Sequence, residues 1–269
     1  MGIKNLGYCV LDVPSELLCP STTIMGKGRL PRIVSWHRIA VSQPMMPDTA
    51  KAEFSPANLS ATAYKLLRHR LLEEKPTHIL IERQRFRSTS SKFILEWTVR
   101  VNMFESILYG ILCTLQEESI WSGQVVGVLP GKVGPYWVGE NQAGDELADG
   151  SSKVHKKNRN SKTAKIINKG LKIDLVRSWL EAGDVVELGN EEVEERARLY
   201  MEKWDRLPGG RKGVKRGVKA EEEGEKMGKL DDLADCLLQG MAWIRWERNK
   251  RTALEEGVEA LVEEPEAKD

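Results

Sequence analysis

Residues 77–82, THILIE, and 123–130, GQVVGVLP, are short apolar runs flanking a long helical pattern, SKFILEWTVRVNMFESILYGILCTLQ, at 91–116. Each run has strand length, branched aliphatic content and turn residues at its borders. Near-continuous apolar character marks strands covered on both faces, the pattern of parallel pairing through a helical crossover. This unit decides the fold class: an α/β sheet with helices on both faces. The 91–116 helix is apolar around most of its circumference and so is expected to be largely buried. Its Phe93, Trp97, Phe104 and Ile107 read as core, or in part as a face covered by a second copy.

Working outward, Tyr8–Val13 and Arg32–Val41 alternate as strands. Residues 42–57 hold Pro44, Pro47 and Pro56 and read as loop. SPANLSATAYKLLRHRLLEEK (55–75) is a helix closed before Pro76. On the other side, LKIDLVRSWLEAG (171–183), NEEVEERARLYMEKWDRL (190–207) and KLDDLADCLLQGMAWIRWERNK (229–250) read as helices. The polar, glycine-rich stretch from Gly139 to about residue 165 reads as a flexible basic insertion, and 208–228 as a second glycine-rich connection. One domain over 1–250 followed by an acidic, disordered tail over 251–269 is the expected organisation.

An apolar content of 41% supports a packed core, and 30% charged residues mark a well-hydrated surface. No apolar run reaches about 18 residues, so no membrane span is predicted. The four cysteines (Cys9, Cys19, Cys113, Cys236) form no CxxC pair, and Cys9, Cys113 and Cys236 sit in apolar patterns and read as reduced core thiols, which speaks against a zinc knuckle. Net charge is only +1, but the acidic tail hides a basic body. Lys153–Lys172 holds eight Lys/Arg and no acid, and Arg211, Lys212, Lys215, Arg216 and Lys219 cluster among glycines. Such blocks are footprints of a polyanion, although solvated loops look the same.

Two places put acids where a soluble fold does not need them. Glu82 ends the strand HILIE, and strand ends of open α/β sheets are where sites collect. After it comes RQRFR: Arg83, Gln84, Arg85 and Arg87, with Phe86 interleaved, suit phosphate contact and base stacking. The second place is LDDLADCLLQG. Asp231 and Asp235 lie roughly 40° apart around a helix, and Asp232 and Asp235 roughly 60° apart on the other side. A helix N-terminus welcomes Asp231 and Asp232. It accounts poorly for Asp235, one turn on among apolar neighbours. Repelling carboxylates at this spacing call for a cation, and hard oxygen donors without paired His or Cys suit Mg²⁺ or Mn²⁺. His37, His69, His78 and His155 show no ligand spacing, and no GxxxxGK[ST] loop or GxSxG elbow is present.

GIKNLGYCVLDV (2–13), ILIERQRFRS (79–88) and KLDDLADCLLQG (229–240), in that order, resemble the fungal mitochondrial Holliday junction resolvases, or cruciform-cutting endonucleases, of the RNase H-like superfamily. The resemblance runs from Gly2 to about Arg248. It implies a five-stranded mixed sheet with helices on both faces, and a mitochondrial homodimer making paired, Mg²⁺-dependent nicks in four-way DNA junctions. It implies a site of four carboxylates, with Glu82 on the strand and Asp235 paired with Asp231 or Asp232 on the helix. Spacing does not choose between the two; the smaller angular offset favours Asp231. Lys4, Asn5, Arg83, Gln84, Arg85, Phe86, Arg87, Lys156, Lys157, Arg211 and Lys212 are the implied DNA contacts.

In that family the first strand ends in an aspartate two residues before the glycine matching Gly2, hence one residue ahead of Met1. The resemblance therefore implies a first strand upstream of the sequence as written, and a chain that binds junctions but cuts poorly. A junction-binding protein of the same fold without chemistry is the alternative. A sugar-kinase-like phosphotransferase lacks its second phosphate loop here. A nuclease for RNA–DNA hybrids is opposed only by the ERQRFR and DDLAD details.

Overall fold

The computed structural model describes residues 5–18, 29–41, 54–84, 93–146, 161–205 and 230–261. Strand β1 (Leu6–Asp12) runs antiparallel to β2 (Arg32–Ile39), with Leu6 opposite Ile39, Asp12 opposite Arg32 and a register shift between Val10 and Leu11. The two-residue strand β5 (Glu187–Leu188) adds parallel to the start of β2. Strands β3 (His78–Glu82) and β4 (Gln124–Val128) pair parallel and in register, joined by α2 (Glu96–Glu117). The crossover unit is therefore present as read. Among the described residues five strands form two ladders, β1-β2-β5 and β3-β4.

Period-two alternation splits the side chains between two cores. Leu6, Tyr8, Ile79, Ile81 and Val125 point to one face, where α1 (Pro56–Leu66) and α2 cover them. Cys9, Leu11, Leu80, Val126 and Val128 point to the other, against α3 (Pro130–Glu146), α4 (Ser161–Ala182), α5 (Glu191–Asp205) and α6 (Leu230–Glu255). Helices thus lie on both faces.

Helix α1 starts with Pro56 inside the first turn, and Ser55 Oγ accepts from the Asn58 N–H at 3.3 Å, a serviceable N-cap. Its continuation loosens into a π turn at Leu67–Leu71 and a 3₁₀ turn at Leu72–Glu74. Lys75, in the left-handed region at φ 48°, ends it.

Three expectations need correction. Helix α2 buries one stripe, Val101, Phe104, Leu108, Leu112 and Leu115, rather than most of its circumference. Phe104 is fully buried and Ile107 partly, but Phe93 is 80% exposed and Trp97 39%. The cause is geometric: α2 is sandwiched only where the sheet and α1 face it. Cys113, read as core, is exposed on the same helix. The third correction is α3, which covers 130–146, partly within the stretch read as insertion. Gly131, Gly134, Pro135 and Gly139 disfavour a helix locally, but Val133, Trp137 and Val138 are buried in the core, and packing prevails. Helix α6 also runs on to Glu255, past Lys250. No helix among the described residues is long and apolar enough to cross a membrane.

Candidate active site

Helix α6 carries the acids, and three contacts fix its seat. Trp36 Nε1 of β2 donates to the Leu233 carbonyl at 3.0 Å, and Trp137 Nε1 of α3 donates to the Leu238 carbonyl at 3.0 Å. Both rings are buried, so each indole N–H needs such a partner. The third contact is Gly7 of β1, where an added Cβ would lie 2.4 Å from the Asp232 carbonyl oxygen. Only glycine lets β1 pass this close to the first turn of α6.

So held, α6 presents Asp231 and Asp232 in its first turn and Asp235 one turn later. Glu82 ends β3 opposite Val128 of β4. The Arg83 N–H donates to the Val128 carbonyl at 2.8 Å, extending the ladder past Glu82. Gln84 then closes the turn: its backbone N–H donates to Glu105 Oε2 at 2.9 Å and its side chain to the Glu82 carbonyl at 3.0 Å. Gln84, one of the expected DNA contacts, is thus tied to the strand end by both its backbone and its side chain.

The two acid-bearing elements meet at a cavity of about 750 Å³ between β1 and β3. Glu82, Asp232, Asp235 and Lys172 line it, with Cys236 and Trp243. Neither β1 nor β3 has a second ladder partner on this side among the described residues. Asp231 turns instead toward α4, where Lys169 Nζ donates to its Oδ2, while Lys172 Nζ donates to Asp235 Oδ1.

Desolvation pushes the Asp235 carboxyl above its usual range; Lys172 opposes the shift, and the charges of Glu82 and Asp231 add to it. Half of the Asp235 side-chain surface is open to solvent, so the effect comes from its inner edge. Desolvation is thus the main cause, with the neighbouring carboxylates a smaller one. Burial lifts the Cys236 thiol to about 12 and raises Cys9 well above its ordinary value. Neither is a thiolate for metal binding or attack. The hard oxygen donors that remain fit Mg²⁺ or Mn²⁺. No three acidic, histidine or cysteine side chains among the described residues are gathered closely enough to hold an ion.

Of the expected DNA contacts, Asn5 lies on the cavity wall and its Oδ1 accepts from Arg38. The Arg83 side chain lies against Gly127, next to the Tyr109 hydroxyl. Lys4, Arg85, Phe86, Arg87, Lys156, Lys157, Arg211 and Lys212 lie outside the described residues. The sequence reading missed Gly7, Trp36 and Trp137 as supports of α6, and Lys169 and Lys172 as partners of its acids. The lysines were legible only as part of a basic run.

A comparison with protein families decides the kinship: the mitochondrial resolvase Ydc2 / RNA splicing MRS1 family matches residues 1–253. The chain belongs to that family. This Ydc2-family chain is 25% identical over 249 residues to the mitochondrial cruciform cutting endonuclease 1 of Saccharomyces cerevisiae, covering 86% of the chain and 66% of that relative. It is 26% identical over 253 residues to the protein of the same name in Schizosaccharomyces pombe, covering 92% of the chain and 76% of the relative. The chain thus spans just under two thirds of the first relative's length. Among solved structures it is similar to the yeast mitochondrial Holliday junction resolvase Ydc2, with a TM-score of 0.53, 23% identity, and coverage of 95% of this chain and 81% of that one. The likeness is one of fold, an α/β arrangement with helices on both faces.

Proposed function

We propose that this protein is a structure-selective endonuclease that resolves four-way DNA junctions in mitochondria by paired, Mg²⁺-dependent phosphodiester cleavage. The observation that carries this reading is that Glu82, Asp232 and Asp235 line one cavity, in a member of a family that includes resolvases. Of the two acids that spacing left open, Asp232 is the one on that wall, while Asp231 faces Lys169. Glu82, Asp232 and Asp235 would hold the metal, which supplies water activation and stabilisation of the leaving oxygen. Gln84 keeps Glu82 at the strand end, and Trp36 and Trp137 keep the acid turn of α6 in place. Neither β1 nor β3 has a second ladder partner on the cavity side among the described residues, which leaves room there for the additional carboxylate that the resemblance implies.

Arg85, Phe86 and Arg87, beyond Arg83 and Gln84 on the same segment as Glu82, are assigned to the junction crossover. Lys4, Asn5, Arg83, Lys156, Lys157, Arg211 and Lys212 supply sequence-independent grip on its arms. One catalytic domain ends with α6, its basic insertion is confined to the stretch between α3 and α4, and the acidic tail follows α6. A homodimer is formed through the start of α2, where Phe93, Ile94, Leu95 and Val99 are all more than half exposed, an apolar patch of the kind that marks a protein contact.

The test is cleavage of an end-labelled four-way junction with Mg²⁺, using this chain, its Glu82→Gln variant, and a chain extended upstream by one strand. Symmetric nicks that Glu82→Gln abolishes, with binding retained, support the reading. Tight binding with no nick from the chain or its extended form favours the second reading, a binding protein without chemistry. The family description itself pairs resolvase with RNA splicing, so a four-way RNA belongs in the same assay.

A further inference from the structure

Four elements step together from the buried layer beneath α6 to the edge of the cavity. In that layer Trp36 of β2 packs on Tyr200 of α5, ring centroids 5.2 Å apart. Trp36 Nε1 donates to the Leu233 carbonyl of α6, and the Tyr200 hydroxyl donates to the Ile173 carbonyl of α4 at 3.4 Å. One step outward, β2 presents Arg38 on the same face as Trp36. Arg38 stands opposite Gly7, the residue that touches the first turn of α6. One turn outward, α5 presents Lys203, α4 Lys169 and α6 Asp231. The contacts agree with this convergence. Arg38 donates to Asn5 Oδ1 on the cavity wall, and Lys169 donates to Asp231. Burial first, then the Arg38 charge, push the Lys203 ammonium below its usual range, and Asp231 pulls the other way. Three cations thus share one carboxylate, and Arg38 and Lys203 are both partly buried. Crowding like charges where water is partly excluded costs free energy, and a bound anion relieves it.

We propose that Arg38, Lys203 and Lys169 form a seat for one backbone phosphate of the DNA strand, on the rim beside Asp232. None of the three is among the DNA contacts that the sequence implied. The inference rests on the junction-nuclease reading above and deepens it. The strand presented to Glu82, Asp232 and Asp235 is gripped by a neighbouring phosphate, so the three cations position it without touching a reacting atom. Arg38 offers a fork of donors and the two lysines compact point charges, a mixture that suits phosphate oxygens. The seat also gives Asp231 a task off the cavity: it keeps its bond to Lys169 and holds that ammonium on the rim.

The experiment is binding of a labelled four-way junction by the full chain over a salt series, with EDTA in place of Mg²⁺ so that no strand is cut. Lys203→Met and Arg38→Gln are each expected to weaken binding and to reduce the slope of log affinity against log salt by about 1. The gap between wild type and variant should then shrink about fourfold as salt rises from about 50 to 200 mM. Lys203→Arg, which keeps the charge, should retain the wild-type slope. So should Lys250→Gln, 65% exposed in the last turns of α6. Thermal unfolding is read beside each slope, because a merely structural role lowers the melting temperature and leaves the slope alone. Should Arg38→Gln fail to fold, Lys203→Met carries the test. Junction binding by Lys203→Met with the wild-type slope overturns the seat and leaves the nuclease reading untouched. A wild-type chain that binds no junction overturns both. Slopes that fall as expected, with no nick from the wild-type chain once Mg²⁺ is added, support the seat and count against the nuclease reading alone.

Discussion

Substituting Gly7 by alanine moves the acid helix without touching any acid. The new Cβ would lie 2.4 Å from the Asp232 carbonyl oxygen, and the obstacle is backbone, so no side chain can swing away. β1 and the first turn of α6 must part by about 0.6 Å merely to reach 3.0 Å, the closest approach real Cβ atoms make. Overpacking of this kind costs about 1–3 kcal/mol, and a backbone clash belongs at the upper end. Alanine returns about 0.4–1 kcal/mol by restricting the unfolded chain, so a net loss of roughly 2 kcal/mol is expected. Displacement of catalytic groups by about 1 Å can lower turnover by roughly 10²-fold, so any junction-nicking activity should fall further than stability does. The assay is urea unfolding of Gly7→Ala beside Gly110→Ala, a helix-interior glycine whose added methyl would have nothing within 4 Å of it. Gly110→Ala should gain roughly 0.5–1 kcal/mol. A wild-type unfolding midpoint for Gly7→Ala would refute the claim that close backbone approach seats the acids.

Other outcomes follow from the same geometry. Asp235 has a raised pKa in the fold, so its ionised form costs stability at neutral pH, and the cost is relieved as pH falls through that raised value. Metal-free Asp235→Asn should therefore melt above wild type near neutral pH, with the gap closing on acidification in thermal scans. Replacing Arg211 and Lys212 by glutamine should reduce the slope of log affinity against log salt by about 1 for each phosphate no longer neutralised, read by junction binding over a salt series. Leu95→Asp, at a residue 69% exposed on the proposed dimer face, should weaken self-association by tenfold or more in sedimentation. An unchanged monomer–dimer balance would move the interface elsewhere.

The crossover unit was legible because β3 and β4 are short, near-continuous apolar runs with turn residues at their borders, and a long helical pattern stands between them. The acids were legible as misfits: Asp235 sits between Ala234 and Cys236 on a helix whose neighbours Leu233, Leu237 and Leu238 are core. α3 was not, because its glycines and Pro135 argue locally against the helix that Trp137 and Val138 complete by packing. The only local signal was Pro130, at the first helical position. The single buried stripe of α2 was hidden for a related reason, since periodicity counts apolar residues but not the partners available to cover them. Lys169 and Lys172 looked like their neighbours in a basic run. Their direction toward α6 is set by how two helices pack, which no local pattern encodes. Whether Asp231 or Asp232 joins Asp235 on the cavity wall also depends on how α6 is rotated by Trp36, Trp137 and Gly7.

The contacts that seat α6 join distant parts of the polypeptide: Trp36 bonds Leu233, 197 positions away. During synthesis at about 5–20 residues per second, roughly ten to forty-five seconds separate the emergence of β1 from that of α6. Through that interval the apolar flank of Ile33 and Trp36 waits for its last cover, an opening for chaperone capture or aggregation. Contacts of such long range also make for slow refolding. On the proposed reading, Glu82 of β3 has no acid partner from α6 until that late helix docks, so the chemistry waits for the last of these contacts to form.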